Sequence, residues 1–325
     1  MKVLVTGSSG WLGRHLVPML RDAGWSPVGL DVAPGEQTDV VASVADQNAI
    51  AALFCRHDFD AVMHGGALHK PDIARFPPQA FVDVNVSGTL NLLRAATARP
   101  GARFVFTSTT SLMISQAIRD ERATKAVWLD EDAGPLEPRN IYGVTKLAAE
   151  GLCRLHHLEH GLAVVVLRTA RFFPEDDDTI TALSGPNLKA NELLHRRATV
   201  QDVARACLAA LDRAPQIGFG LYVVSAPTPF TRDDLGALKA DAPAVIRRLF
   251  PEAEALYRRA GWRLPQSIGR VYNGGRITRQ LGFVYRTSFG DILEALRCGD
   301  PAPIDHDPNY GSPILRASQA EAARR

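Results

Sequence analysis

Three glycines at fixed spacing constrain this chain most. Thr6-Gly7-Ser8-Ser9-Gly10-Trp11-Leu12-Gly13 follows the apolar run Lys2–Thr6 directly and opens Trp11–Gly24, where apolar residues recur at helical spacing. A strand that turns into a helix through such glycines lets backbone approach a bulky anion, and the helix start meets that anion with unpaired N–H groups and a positive dipole end. The strand-then-helix order recurs. Ser26–Leu30, a short Thr38–Val41, Asp60–Met63, Arg103–Thr107 and Leu162–Arg168 read as strands. Asp46–Arg56, Gln79–Ala98 and Asn140–His160 read as helices, with Gly24 and Gly161 as stop signals. Strands alternating with helices predict an α/β fold built on a doubly wound parallel sheet, with its ligand site at the carboxyl ends of the strands.

Beyond Arg168 the pattern turns irregular through Phe172-Phe173-Pro174 and the acidic run Glu175–Asp178, then resumes with a helix at Val200–Leu211 and a strand at Leu221–Val224. From Thr231 the chain reads as mostly helical, broken by Pro243, Pro251 and Pro265, and Pro301, Pro303, Pro308 and Pro313 mark an irregular tail. The expected division is residues 1–170 plus about 198–228 as a dinucleotide-binding domain of Rossmann type, 171–197 plus 229–300 as a smaller helical substrate lobe, and 301–325 as the tail. Among 325 residues, 37 basic and 35 acidic side chains nearly cancel, with no block of like charge. Neither a nucleic acid nor a membrane surface is therefore an expected partner. Apolar runs such as Leu162–Leu167 fall far short of the ~18 residues a spanning helix needs, and no secretory signal is read. Cys55, Cys153, Cys207 and Cys298 lie far apart without a CxxC pair, which suits a reducing cytoplasm.

The glycine turn reads as a dinucleotide site. Gly7, Ser9, Gly10, Trp11, Leu12 and Gly13 form the cradle, and Asp31 stands at the end of the second strand, where a carboxylate accepts both ribose hydroxyls of NAD and repels the 2′-phosphate of NADP. Arg14, just inside the helix, is the opposing feature, since it could hold a 2′-phosphate or simply face water.

A proton-transfer pair is equally legible. Tyr142-Gly143-Val144-Thr145-Lys146 sets a phenol and an ammonium four residues apart on one helix face. A phenol with its ordinary pKa of ~10 needs about 4 kcal/mol of preferential phenolate stabilisation to act as a base near neutrality. One ammonium at ~4 Å in an effective dielectric near 20 supplies about that much. Thr107-Ser108-Thr109-Thr110-Ser111 ends the fifth strand and offers hydroxyls beside the tyrosine.

With these residues the sequence resembles the extended short-chain dehydrogenase/reductase superfamily, in its NAD-dependent epimerase/dehydratase family, over roughly residues 1–295. Asp60-Ala61-Val62-Met63-His64-Gly65-Gly66-Ala67 is similar to the family's fourth-strand motif along the cofactor. Asn85–Leu93, Val200–Ala204 and Arg270–Phe283 resemble later stretches. The resemblance implies Thr109 as the catalytic hydroxyl, Tyr142 as acid/base, Lys146 on the nicotinamide ribose and Asp31 on the adenosine ribose. It also implies cofactor contacts from Ser43, Val44, Gly65, Gly66, Ala67, Asn85 and Thr107, and a homodimer formed through the helix that carries the YxxxK segment.

Three departures shape the expected chemistry. Ser43-Val44 stands where the family often has Asp-Val or Asp-Ile against adenine, and Thr110-Ser111 replaces the Asp-Glu pair of sugar-nucleotide dehydratases. Only 31 residues separate Arg168 from Val200, a stretch that grips the nucleotide in nucleotide-sugar epimerases. The expected activity is NAD-dependent hydride transfer at a secondary alcohol carbon of a small polyhydroxylated substrate, as an epimerase or a dehydrogenase. A nucleotide-sugar epimerase with tightly held NAD and a non-catalytic NAD-binding sensor are the alternatives. His69, Thr109, Thr110, Arg171 and Arg270 are the expected substrate contacts; a contact of His69 and Lys70 with an anionic group is weighed and set aside. His156, His157 and His160 lack a third ligand at suitable spacing, so no metal is expected.

Overall fold

A computed structural model describes residues 1–176 and 182–314; Asp177 and Asp178 of the acidic run, and the end of the tail, lie outside the described residues. Seven strands form one sheet: β1 (Lys2–Thr6), β2 (Ser26–Asp31), β3 (Val40–Val41), β4 (Ala61–His64), β5 (Arg103–Thr109), β7 (Ala163–Thr169) and β8 (Phe219–Val224). Their order is β3-β2-β1-β4-β5-β7-β8, and every pairing is parallel. The order reverses between β1 and β4, so a crevice opens beyond their carboxyl ends, where Thr6 pairs with both Leu30 and His64.

Alternation along β1 shows why the runs are continuously apolar. Val3 and Val5 face one layer with Leu16, Val17 and Leu20 of α1 (Trp11–Asp22) and Val203 and Leu211 of α6 (Val200–Ile217). Leu4, between them, faces the other layer with α2 (Gln47–Arg56), α3 (Gly88–Thr97) and α4 (Ile141–His160), through Ile50, Leu53, Leu92, Leu93 and Ala149. A parallel sheet covered on both sides has no face left for polar residues. Among the described residues no helix is long and apolar enough to cross a membrane.

Several boundaries differ from those read in the sequence, each for a local reason. α6 runs on to Ile217 through Pro215, because the carbonyl of Leu211, which a residue other than proline at 215 would engage, accepts Arg103 Nη1 at 3.1 Å. The expected helix 79–98 begins with a short turn at Pro78–Phe81 and a π-helical stretch at Val82–Ser87 before α3. There Asn85 is pulled inward to the backbone of Leu68, and such bulges often mark working sites. A second, two-stranded parallel sheet joins β6 (Val127–Leu129) to β9 (Arg270–Tyr272), inside a region expected to be helical. The chain beyond β8 packs a core of its own with α5 (Gly185–Leu193), around Leu193, Phe230, Ile246, Tyr257 and Phe289.

A buried ion pair fixes α4 against the sheet. Ser108 Oγ donates to Glu150 Oε1 at 2.6 Å, and Arg168 reaches both carboxylate oxygens, with Nη2 2.7 Å from Oε2. All three side chains are buried, and Arg168 Nη1 has no partner. Removing one charge strands the other in a poor solvent, at a cost of about 3–5 kcal/mol, whereas replacing both with apolar groups of similar volume is often near neutral. Glu150→Ala is therefore expected to lower unfolding free energy by about that amount, and Glu150→Leu with Arg168→Met to recover most of it. Denaturant titration checks this, and a double variant no more stable than Glu150→Ala would refute it.

Candidate active site

The glycine turn is backbone packed on backbone. Gly7 sits at φ +77°, and its N–H donates to Leu30 O at 2.9 Å. A Cβ on Gly13 would lie 2.3 Å from Gly7 O, and one on Gly7 would lie 2.9 Å from Gly66 N. Only glycine permits that approach, which seats the start of α1 against the end of β4. Gly10 caps α1 without a side-chain hydrogen bond, leaving the first helical N–H groups at Trp11 and Leu12 aimed at the crevice. Asp31 ties this turn to the second strand, accepting from Ser9 N at 3.0 Å and Ala33 N at 3.1 Å. Burial pushes its carboxyl up, and those two N–H groups pull it back down.

Other residues near the turn hold it from behind. Ser9 Oγ donates to Ala33 O at 2.9 Å and meets Thr38 Oγ1 at 2.5 Å, so this hydroxyl braces the turn. Arg14 folds back, its Nε donating to Ser9 O at 3.0 Å. Asn85 Nδ2 donates to Leu68 O at 3.0 Å and Thr145 Oγ1 at 3.1 Å, joining the loop after β4 to α4. His64 spans Thr6 Oγ1 at 2.7 Å and Thr89 Oγ1 at 3.0 Å, and Thr6 Oγ1 accepts from Gly66 N at 3.0 Å. The cleft itself is lined by Gly7, Asp31, Ser43, Val44, Gly65, Gly66, Ala67 and His69, together with Ile314 from the tail. A cradle that any Cβ would fill, a free helix start and a carboxylate at the end of β2 fit a dinucleotide, with its pyrophosphate at the turn and a ribose at Asp31.

Tyr142 and Lys146 stand on one face of α4, whose start is set by Asn140, its Oδ1 accepting from Gly143 N at 2.9 Å. Thr109, at the end of β5, is the neighbour that draws the Tyr142 phenol down. Burial pushes it up to about 12, against that pull, with Asp72 adding to the rise. Lys146 Nζ donates to Thr107 O at 2.6 Å and lies 4.1 Å from the centre of the Phe106 ring. Burial brings it down to about 7, against the pull of Cys153 and Glu150. The ammonium thus serves the strand carbonyl first, and in the chain alone burial outweighs the phenolate stabilisation expected from spacing.

The expected substrate contacts divide. The His69 ring stands 5.9 Å from that of Tyr142 and 5.4 Å from that of Phe173, and burial with the nearby Lys146 charge brings it down to about 4. It therefore offers a neutral imidazole, which hydrogen-bonds but gives an anion no charge. Thr110 turns into the sheet, buried, with Oγ1 3.4 Å from Thr169 O. Arg171 pairs with Arg197 as an isolated bridge and donates to Asp176 O at 3.2 Å, while Arg270 lies on β9. Glu192 pairs with Arg196 at 3.1 Å and Arg197 at 2.8 Å; burial alone would raise its carboxyl, but Arg196, Arg197 and Arg171 hold it below its ordinary value. Among the described residues no three His, Cys, Asp or Glu side chains gather as a metal site.

Some participants escaped the sequence reading. Asp72 accepts His69 N at 2.7 Å in a capping box, a signal present in the three-residue spacing. Thr38 is set by tertiary packing, and nothing local marks Ile314.

A family model described as the NAD dependent epimerase/dehydratase family matches residues 3–224. UDP-glucose 4-epimerase 2 of Oryza sativa subsp. japonica is 30% identical over 185 residues, 51% of this chain and 43% of that protein. An L-arabinose 1-dehydrogenase (NAD(P)(+)) of Haloferax volcanii is 31% identical over 181 residues, 54% of this chain and 69% of that protein. This chain spans about half the length of the curated relatives it matches. A short-chain dehydrogenase/reductase superfamily protein from Agrobacterium tumefaciens, solved with bound NAD, superposes with a TM-score of 0.65 at 25% identity, over 100% of both chains. The match from the glycine turn through the YxxxK helix to β8 shows that this chain belongs to the NAD dependent epimerase/dehydratase family.

Proposed function

We propose that this chain is an NAD-dependent oxidoreductase or epimerase acting at a secondary alcohol carbon of a small, sugar-like substrate that carries no nucleotide. The observation that carries the reading is the placing of buried Tyr142 and Lys146 one helical turn apart on α4, with Lys146 Nζ 2.6 Å from Thr107 O on the strand that ends at Thr109. Gly7, Gly13, the start of α1 and Asp31 would hold the dinucleotide, and Asp31 supports NAD over NADP. Bound NAD supplies a hydride acceptor and a positively charged ring. Thr109 holds the substrate oxygen, and Tyr142 Oη takes its proton or returns it. Bringing the phenol from about 12 to near neutrality takes roughly 7 kcal/mol. An ammonium brought to about 4 Å would contribute about 4 kcal/mol of this at an effective dielectric near 20, which is the role proposed for Lys146.

The size of the substrate is argued from the interval between β7 and α6. Its 31 residues hold α5, buried from Asn187 to Leu193, and the Arg171–Arg197 bridge. That packing uses up chain that an extended diphosphate cradle would need. The Haloferax relative is by its name a dehydrogenase of a free sugar, and the rice relative by its name an epimerase of a nucleotide sugar, so the second reading stays in the test. Exposed Val144, Leu155 and Leu158 on α4 support a homodimer, and four free cysteines support a reducing cytoplasm.

Three outcomes are expected. Tyr142→Phe lowers turnover by about 10²–10⁴ while NAD affinity stays nearly constant, and wild-type turnover would remove Tyr142 from the mechanism. In fluorescence titrations NAD binds more tightly than NADP, and Asp31→Ala narrows the gap while weakening both, because the turn loses its brace; tighter binding of NADP by the wild type would overturn the preference. Calorimetry on NAD-loaded protein finds binding of free aldoses or uronic acids and none of UDP or GDP sugars, whereas micromolar binding of a nucleotide sugar would restore the second reading.

A further inference from the structure

The tail crosses the molecule to reach the cleft. Its first part is anchored on the second core, where Ala302 and Ile304 pack. Asp305 Oδ1 then accepts from Gln201 Nε2 at 3.2 Å at the start of α6, His306 Nδ1 lies 2.7 Å from Lys189 Nζ, and Asp307 N donates to Pro174 O at 3.0 Å. The chain turns, with Tyr310 N donating to Asp307 O at 3.1 Å. Tyr310 then meets the Trp11 ring edge-on at 5.4 Å, over the first residue of α1. Ile314 reaches the crevice. It packs on the group formed by Leu68, Phe81 and Tyr142 and lines the same cleft as Gly7, Asp31 and Ala67.

Two apolar side chains of one segment therefore lie on the two parts of the site that a dinucleotide must contact, the helix start and the floor beside the phenol. We propose that residues 305–314 form a displaceable strap: the free chain keeps Ile314 in space the dinucleotide needs, and the strap swings out, about its anchor at Asp305–Asp307, as the dinucleotide enters. The inference rests on the cleft being the NAD site. Its consequence is quantitative, because a chain closed nine times in ten binds about tenfold more weakly than one held open.

The test compares the full chain with the full-length double variant Tyr310→Ala/Ile314→Ser, which leaves the glycine turn, Thr109, Tyr142 and Lys146 intact. Calorimetry and stopped-flow fluorescence with NAD should show about three- to tenfold tighter binding and faster association for the variant. Unchanged or weaker binding overturns the proposal, and weaker binding with faster release would make the segment a clamp on the bound dinucleotide. A second readout uses no variant: chymotrypsin cleavage after Tyr310 should accelerate in saturating NAD, and slower or unchanged cleavage overturns the strap. If neither protein binds NAD, the dinucleotide reading fails along with the strap; if both bind it with equal affinity, only the strap fails.

Discussion

Everything in the site hangs on a contact between main chains at one point of the sheet. Gly7, Gly13 and Gly66 let the end of β1, the start of α1 and the end of β4 meet with no side chain between them. That approach sets α1's free N–H groups beside the crevice and puts Thr6 within reach of Gly66 N. Asp31 then closes the arrangement by taking Ser9 N from across the turn. An added methyl at Gly13 would collide with two residues of backbone, so the cradle depends on an absence of atoms as much as on any hydrogen bond.

The proposed catalytic pair is held by a different device. Tyr142 and Lys146 have little freedom because α4 is pinned at its start by Asn140, along its length by the buried Glu150–Arg168 pair and on its flank by Asn85 through Thr145. This rigidity has an electrostatic cost, since burial drives the phenol up and the amine down. The chain by itself keeps the phenol protonated and loosens the ammonium's hold on its proton, so the proposed proton transfer needs added positive charge in the cleft to draw the phenol down.

The parallel sheet and the glycine turn were legible because their causes are local: apolar runs of period suited to a buried sheet, and glycines where no other residue fits. Strands β1, β4 and β5 follow from such runs alone. The pairing of β6 with β9 was not legible, since three-residue strands joined across 143 positions leave no period in either segment. The site divides in the same way. Tyr142, Lys146 and Asp31 are announced by spacing, while Asp72 and Ile314 reach it only through tertiary folding. Thr110, Arg171 and Arg270 were read as substrate contacts from their place in the chain; what the sequence did not show is that Thr110 Oγ1 faces Thr169 O, Arg171 donates to Asp176 O and Arg270 stands on β9.

The small β6–β9 sheet has a mechanical consequence. β6 lies in the connection that leaves Thr109 and returns to Tyr142, and β9 belongs to the layer built from the later helices. Leu129 O accepts from Asn273 N at 2.9 Å, and Glu131 Oε1 from Val223 N at 2.8 Å, so this connection is bolted to the later layer and to the main sheet at once. The stretch between Thr109 and Tyr142 is therefore part of the frame that fixes the two residues, tied at once to the later layer and to the main sheet, and not a loose loop over the cleft.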